Sequence, residues 1–448
     1  MEIIKWATEN GCLLNNWTLY YAAEYGHLDV VKWAIDNGCE LNDSAFSFAA
    51  SGGHLETVSW LLEKGCPTGH SIDDAARNGH LHIVQYLRAN GCDWTELTCT
   101  RAARGGHLSL LKWLRENECP WNSETCEAAV ESGNLELLQW IYENGLVGDE
   151  VACRNAASIG SLPILQFLRA NNCPWNADVI TMAAAQGHLD VIKWAKANGC
   201  KWITVACSYA ASNGHLDILK WLREQGCPWN DKTTLNAARS DHFEIVKWAV
   251  DNGCNIDKTI ANIAASNGNF EMLKWAYEKG CKVDESACAG AALLGCLKIV
   301  QWLREHGCPW NKDTSRKAAQ SYSLNTLKWV HETGCPWDEE TFAAASIEGY
   351  IPILQYLKDN NCPWNKDACN EAAYYGNLEA LQWLRSNGCP WEASTLVSSV
   401  NGNQWHVTRW CLDNGCPVSE EAVSELEEQG QIKLANVVKA KMSEINST

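Results

Sequence analysis

Apolar and polar positions alternate along this chain in two helical patterns. From Leu28 to Ala34 the apolar residues are Leu28, Val30, Val31, Trp33 and Ala34, with Asp29 and Lys32 in the remaining sector. At 100° per residue this apolar face covers roughly two-thirds of a helix's circumference. The stretch before it, Thr18 to Tyr25, carries the pair Ala22 and Ala23, good helix formers that also let another helix approach closely. Both patterns return almost to the chain's end. They predict two short helices per unit joined by tight turns, with the second helix covered by neighbouring units on either side.

A cysteine after the second helix marks the period. It stands at 12, 39, 66, 92, 119, 173, 200, 227, 254, 281, 308, 335, 362, 389 and 416, and Leu146 fills the missing slot. Every step is 27 residues except the 26 between Cys66 and Cys92. A repeat this regular overrides the multi-domain expectation for 448 residues. The residue before the mark is Gly thirteen times, Asn at 172 and 361, and Glu at 118, which predicts a left-handed helix C-cap. Asn or Asp follows three residues after the mark in eleven units, which predicts an N-cap for the next first helix.

Between the helices stands His27, His54, His80, His107, His188, His215 or His242, each preceded by a Gly such as Gly26, Gly53 or Gly79 except the last, which follows Asp241. Asn134, Asn269, Asn377, Ser161 and Ser323 exchange with this His, so the side chain is expected to cap the second helix. Thirteen tryptophans occupy the Trp33 position and are expected in the core. Nine more follow the cysteine by two, as at Trp94 and Trp121, and exchange with Leu41, Ile256, Val283 and Val418. These nine are expected to be buried between units.

The stretch Thr18-Leu19-Tyr20-Tyr21-Ala22-Ala23-Glu24-Tyr25-Gly26-His27-Leu28-Asp29-Val30-Val31-Lys32 resembles the two-helix core of ankyrin repeats. The standard unit has about 33 residues, so this one lacks the segment that forms the ankyrin β-hairpin. Only Thr18, Thr98, Thr125, Thr233, Thr314 and Thr341 echo the family's Thr-Pro-Leu-His motif. The Asn-Gly-Cys-Pro-Trp variant is similar to ankyrin-type families of giant DNA viruses and some protists. The resemblance implies an all-α, ankyrin-like helix-turn-helix solenoid of about 15 repeats, with β-hairpins shortened or absent. It also implies a protein partner, a host protein if the chain is viral. Adaptor to a ubiquitin ligase is an alternative, although the extra terminal box of such adaptors has no counterpart here. A spacer without a dedicated partner is another.

One continuous array is expected over 1–448: a half-repeat at 1–11, repeats over 12–416 and a capping repeat at 417–448. The cap keeps the spacing but gains charge at Glu425, Glu427, Glu428, Lys433, Lys439 and Lys441.

Charge and cysteines narrow the function. A formal net charge of -18 argues against nucleic acid or an anionic membrane as the partner. No apolar run reaches the roughly 20 residues of a membrane span, and the first residues resemble no secretory signal. The 23 cysteines follow the repeat rather than a disulfide framework, so reduced thiols, a cytoplasmic location and a monomer are expected. Pairs seven apart, such as Cys92/Cys99 and Cys281/Cys288, lack the short spacing of a zinc site. There is no nucleophile constellation, phosphate loop or cofactor motif, so no enzyme activity and no cofactor are expected.

Function is then expected where the unit varies, on the first helix around the Ala pair. The candidate partner-binding residues are Tyr20, Tyr21, Tyr25, Phe48, Arg77, Arg101, Arg104, Tyr209, Arg316, Lys317, Tyr374 and Tyr375. Tyr and Arg are common interface anchors.

Overall fold

A computed structural model describes residues 2–9 and 15–446. Among these residues the chain forms 33 α-helices and no strand. The architecture is a helical-repeat solenoid, with the hairpin of the longer unit absent. The chain divides into two compact units, Met1–Trp229 and Asn230–Thr448. Cys12 and Leu14, in the first expected mark, lie outside the described residues.

In the first unit, helices Asn16–Glu24 and Leu28–Asp36 make one repeat, and Asp43–Gly52 and Leu55–Glu63 make the next. Asn42 starts its helix as an N-cap, with Oδ1 accepting the Ala45 N–H at 3.1 Å. Asn122 and Asp149 do the same for Glu124 and Val151. In the second unit Asn365 caps through Asp367 N–H at 2.8 Å. The second helices end in left-handed residues: Gly38 at φ 99°, Gly65 at φ 73°, and the non-glycines Glu118 at 64°, Asn172 at 61° and Asn361 at 58°. In two of the three repeats that lack the glycine between the helices, Asp241 and Asn403 take φ 60° and 57° in its place, and in the third, at Ser321 and Tyr322, the first helix ends in extended backbone instead.

The recurring cysteine has a specific task. Its thiol donates to the carbonyl of the N-cap residue 24 positions earlier, at the start of the same repeat. Cys66 reaches Asn42 O at 3.1 Å and Cys173 reaches Asp149 O at 3.0 Å. In the second unit Cys254 and Cys308 reach Asn230 O and Asp284 O at 3.2 and 3.0 Å. A small apolar side chain with one weak donor suits this place.

The histidines do not cap their helices, contrary to the sequence expectation: no side-chain cap bond forms at His27, His54, His80, His107, His188, His215 or His242. In the first unit they instead join successive repeats. His80 Nε2 lies 2.8 Å from Ser51 O, His107 Nε2 lies 3.0 Å from Arg77 O, and His188 and His215 lie 3.1 Å from Ser158 O and Ala185 O. A carbonyl only accepts, so Nε2 carries the proton. The preceding repeat's glycine makes room for the ring. A Cβ at Gly53 would sit 2.6 Å from His80 Nδ1, and one at Gly26 would sit 2.4 Å from His54 Nδ1. Asn134 does both jobs, capping Leu137 N–H at 3.1 Å and donating to Gly106 O at 3.2 Å.

The tryptophans also depart from expectation. The buried row of the second helix is Val30, Val31 and Ala34, repeated as Ile83, Val84 and Leu87. The Trp33 position flanks this row and is only half-buried in the later repeats, and Trp6 is exposed. The nine tryptophans after the cysteine are half-buried as well. An indole is too wide for the space between close-packed helices built on alanine, so it covers their edge instead. In the terminal pair, Glu420–Glu428 and Ile432–Asn446, Ala435 and Val438 are buried and Val437 is exposed.

Candidate partner-binding surface

The first helices bury their Ala pairs and turn the residues beside them outward. In the first unit this gathers four aromatic side chains. Tyr20 and Phe48 stack at 5.3 Å with rings 5° apart, and Trp17 meets Tyr20, Tyr21 and Phe48 at 5.6, 5.8 and 6.4 Å. Trp17 and Tyr21 are 56% and 53% exposed, and Tyr25, one turn on, is 66% exposed. Tyr20 and Phe48 are half-buried, and the Tyr20 hydroxyl accepts Asn42 Nδ2–H at 2.8 Å. The spacing of the repeat thus brings Tyr20, Tyr21 and Phe48 together. Trp17 joins them unforeseen, signalled only by an indole in the first turn of a first helix.

The remaining candidates of this unit are separate from that cluster. Arg77 and Tyr209 are exposed. Arg101 is half-buried, its Nε without a hydrogen-bond partner. Arg104 pairs with Glu131 on the next first helix at 2.9 Å, so part of its charge serves the scaffold.

In the second unit, Arg316 pairs with Asp313 and, at 2.8 Å, with Glu340 of the next first helix. Lys317 reaches only the neutral Gln320 Oε1, at 3.2 Å. Tyr374 and Tyr375 are exposed, their rings edge to face at 5.1 Å. Nearby first-helix ends add exposed Tyr322 and Tyr350 at 6.0 Å, which the sequence reading left out.

A second recurring surface lies at the turn after the second helix. There the tryptophan two after the cysteine stacks against a cation from the helix end. Arg88, Arg115, Arg169 and Arg223 lie 4.3, 4.5, 4.4 and 4.2 Å from the rings of Trp94, Trp121, Trp175 and Trp229. Arg115, Arg169, Arg223, Arg304 and Arg385 also donate Nη1–H to the carbonyl of the cysteine that follows. A planar guanidinium can do both at once. The same tryptophan meets its second-helix counterpart edge-on, Trp94 to Trp113 at 5.8 Å and Trp391 to Trp410 at 5.8 Å.

Several of the buried thiols are poor nucleophiles. The 22 described cysteines are free and mostly buried. Burial pushes Cys66 and Cys200 up to about 11, and Cys126 and Cys362 to about 12, so they stay protonated near neutrality. Thiols do meet in pairs, but not at the spacing of seven: Cys288 and Cys308, twenty residues apart, touch at 3.3 Å, and Cys411 bonds Cys416, five residues on. Among the described residues no group of three or more His, Cys, Asp or Glu side chains could hold a metal ion. No described helix is long and apolar enough to cross a membrane.

Ankyrin-repeat family models match this architecture. One, for three copies of the repeat, matches residues 19–98 and 234–314, and another, for many copies, matches 126–169 and 180–223. Together they span more than half of the chain. The chain is an ankyrin-repeat protein. No curated protein sequence matches it. Among solved structures, this ankyrin-repeat chain resembles the human ASB11 ankyrin repeat domain at 19% identity and a TM-score of 0.34, over 41% of this chain and 98% of that one. It also resembles the pentatricopeptide repeat protein PPR10 in complex with an 18-nt psaJ RNA element, at 14% identity and a TM-score of 0.39, over 96% and 79% of the two chains. At these scores neither structure bears on the ligand of this ankyrin-repeat chain.

Proposed function

We propose that this protein is a non-enzymatic scaffold that binds a protein partner through exposed residues of its first helices. The observation that carries this is the cluster of Trp17, Tyr20, Tyr21 and Phe48, with Trp17 and Tyr21 more than half exposed. Large aromatic side chains are costly to leave in water and are typical interface anchors. Ankyrin repeats in general mediate protein–protein interaction, which supports the same reading. On this reading the chain acts as a single array and as a monomer in the cytoplasm. Its short unit supports placing it with the arrays of giant DNA viruses and protists, where the target would be a host protein.

The test is affinity purification from the native cell with mass spectrometry, using wild type and two variants. In one variant Trp17, Tyr21 and Tyr25 become Ala, and in the other Tyr374 and Tyr375 do. Loss of a reproducible partner from either variant is expected. A partner list that neither variant changes would sink the first-helix face as the binding surface.

A further inference from the structure

A groove of about 370 Å³ crosses three successive first helices of the second unit, Lys312–Gln320, Glu339–Glu348 and Lys366–Tyr374. This is at the small end of the roughly 300–1,000 Å³ range of ligand pockets, suited to one or two side chains rather than a folded domain. Ala343 and Ala344 form its floor, and Glu339, Glu340, Asp367 and Glu371 line it beside Arg316 and Lys317.

The charges on its walls do not balance. Arg316 is engaged by Asp313 and Glu340. Lys312 is drawn away to Asp338 at 2.9 Å and Lys366 to Glu392 at 2.7 Å, whereas Lys317 stays in the groove against the neutral Gln320, so the lining holds four carboxylates against two cations. Among the described residues Glu339, Asp367 and Glu371 have no ion-pair partner. Glu371 is half-buried, and its carboxyl is held above the usual range by burial and by Asp367. A carboxylate so placed gains most from an incoming cation.

The second observation is independent of these charges. Tyr374 and Tyr375 follow Glu371 by three and four residues, so they share its helix face one turn on. They are 44% and 51% exposed, and a ring face beside a carboxylate pocket attracts a cation, arginine most often.

We propose that this groove receives an arginine side chain from an extended segment of the partner protein, with Glu339 and Glu371 holding the guanidinium and Tyr375 stacking on it. Charge complementarity selects this occupant: unpaired carboxylates reject an acidic segment, and a groove floored by alanine leaves room for a long, thin side chain. The proposal rests on the first-helix interaction reading and names the chemistry of one of its surfaces.

The test uses the full chain and a fluorescein-labelled peptide, Gly-Ser-Arg-Gly-Arg-Ser-Gly, with a photo-crosslinker at its end. A second peptide carries Glu in place of both Arg. Fluorescence anisotropy at 150 mM salt screens long-range attraction to the acidic chain. Wild type is expected to bind the Arg peptide and not the Glu peptide, with crosslinks mapping to 312–375. The double variant Glu339→Gln/Glu371→Gln is expected to bind at least tenfold more weakly, and Tyr375→Ala several-fold more weakly. Glu136→Gln, in the first unit, is expected to bind like wild type. Circular dichroism checks that each variant is folded, and the Glu peptide tests charge selection without any substitution. Absent binding to wild type, equal binding of the two peptides, equal binding by the double variant, or crosslinks mapping elsewhere overturns the proposal. If the native partner is lost on changing Tyr374 and Tyr375 but not on Glu339→Gln/Glu371→Gln, the interaction reading stands and the arginine reading falls.

Discussion

The junction between repeats can be tested at Gly53. This residue sits at φ +78°, and a Cβ there would lie 2.6 Å from Cε1 and Nδ1 of His80, whose Nε2 donates to Ser51 O at 2.8 Å. Gly65 has a similar φ, +73°, and nothing within 4 Å of its would-be Cβ. Gly65→Ala therefore carries only the backbone term. Left-handed backbone costs an L-residue about 1–2 kcal/mol, and the reduced freedom of the unfolded chain offsets about 0.4–1 kcal/mol of that, leaving about 1 kcal/mol. Gly53→Ala carries the same term and also displaces the imidazole. The lost His80 hydrogen bond adds about 1 kcal/mol, for a total of about 2 kcal/mol. The double variant Gly53→Ala/His80→Ala then costs about 1 kcal/mol less than the sum of its single variants, because the same bond cannot be lost twice. The assay is amide hydrogen exchange at residues 45–63 and 75–87, since a long array need not unfold as one unit. A gap of 1 kcal/mol is about a fivefold difference in exchange rate. Equal costs for Gly53→Ala and Gly65→Ala, with an additive double variant, would refute the interlock.

Three further outcomes follow from the same geometry. Glu118→Gly removes a non-glycine at φ 64° and is expected to raise stability by about 1 kcal/mol, read as a higher urea midpoint; no rise would mean that Glu118 is not strained. Burial, and to a lesser degree His82, His107 and His54, hold the His80 imidazole below its ordinary value. The unfolded chain then binds the proton more readily, so stability is fully present above about pH 6.5 and falls as pH drops toward the folded-state value. An NMR titration of His80 and a weaker acid loss in His80→Asn check this. At the turn, Arg115→Ala and Trp121→Leu are expected to couple by about 0.5–1 kcal/mol in a double-mutant cycle of unfolding free energies, and additivity would mean that the stack contributes nothing.

The fold was legible because each rule it uses is local and repeated. Thirteen glycines before the mark signalled the left-handed turn, and even the exceptions Glu118, Asn172 and Asn361 take it. The N-caps at Asn42 and Asn365 followed from residue type alone. The histidine was misread because exchange with Asn and Ser fits two hydrogen bonds equally well. Its true acceptor lies 29 or 30 residues back, in the previous repeat, where a pattern within one unit does not reach. The tryptophans were misread because exchange with aliphatics shows an apolar neighbour, not full burial. Of the candidate surface, the clustering of Tyr20, Tyr21 and Phe48 follows from the period, whereas Arg104 and Arg316 could not be known to be engaged until the next first helix was in place. Glu371 was overlooked because a lone glutamate on a helix looks solvated.

One signal in the sequence explains how these repeats dispense with a hairpin. The position four before each cysteine and the position two after it vary together. All nine tryptophans at the second position have Arg, Lys or His at the first, from Arg88 with Trp94 to Arg385 with Trp391. Repeats with an aliphatic at the second position carry no cation at the first: Ile35 with Leu41, Val250 with Ile256, Tyr277 with Val283, Leu412 with Val418. The atypical repeat at Leu146 makes the same choice differently. Tyr142 takes the first position and its hydroxyl accepts Gly148 N–H at 3.0 Å, where a Cβ on Gly148 would meet that hydroxyl at 3.0 Å. The two side chains meet in eight of these nine repeats, Lys358 turning instead to Trp383 and Asn387, and His331 on Trp337 at 3.6 Å shows that a neutral ring serves as well as a charge. The requirement is therefore a flat or apolar cover over the end of the second helix. The guanidinium adds a donor for the cysteine carbonyl, which a hairpin strand would otherwise have to satisfy. Cation and indole together close the turn within the repeat, so this surface is explained by the scaffold, and the first-helix face is left as the place where one repeat differs freely from the next.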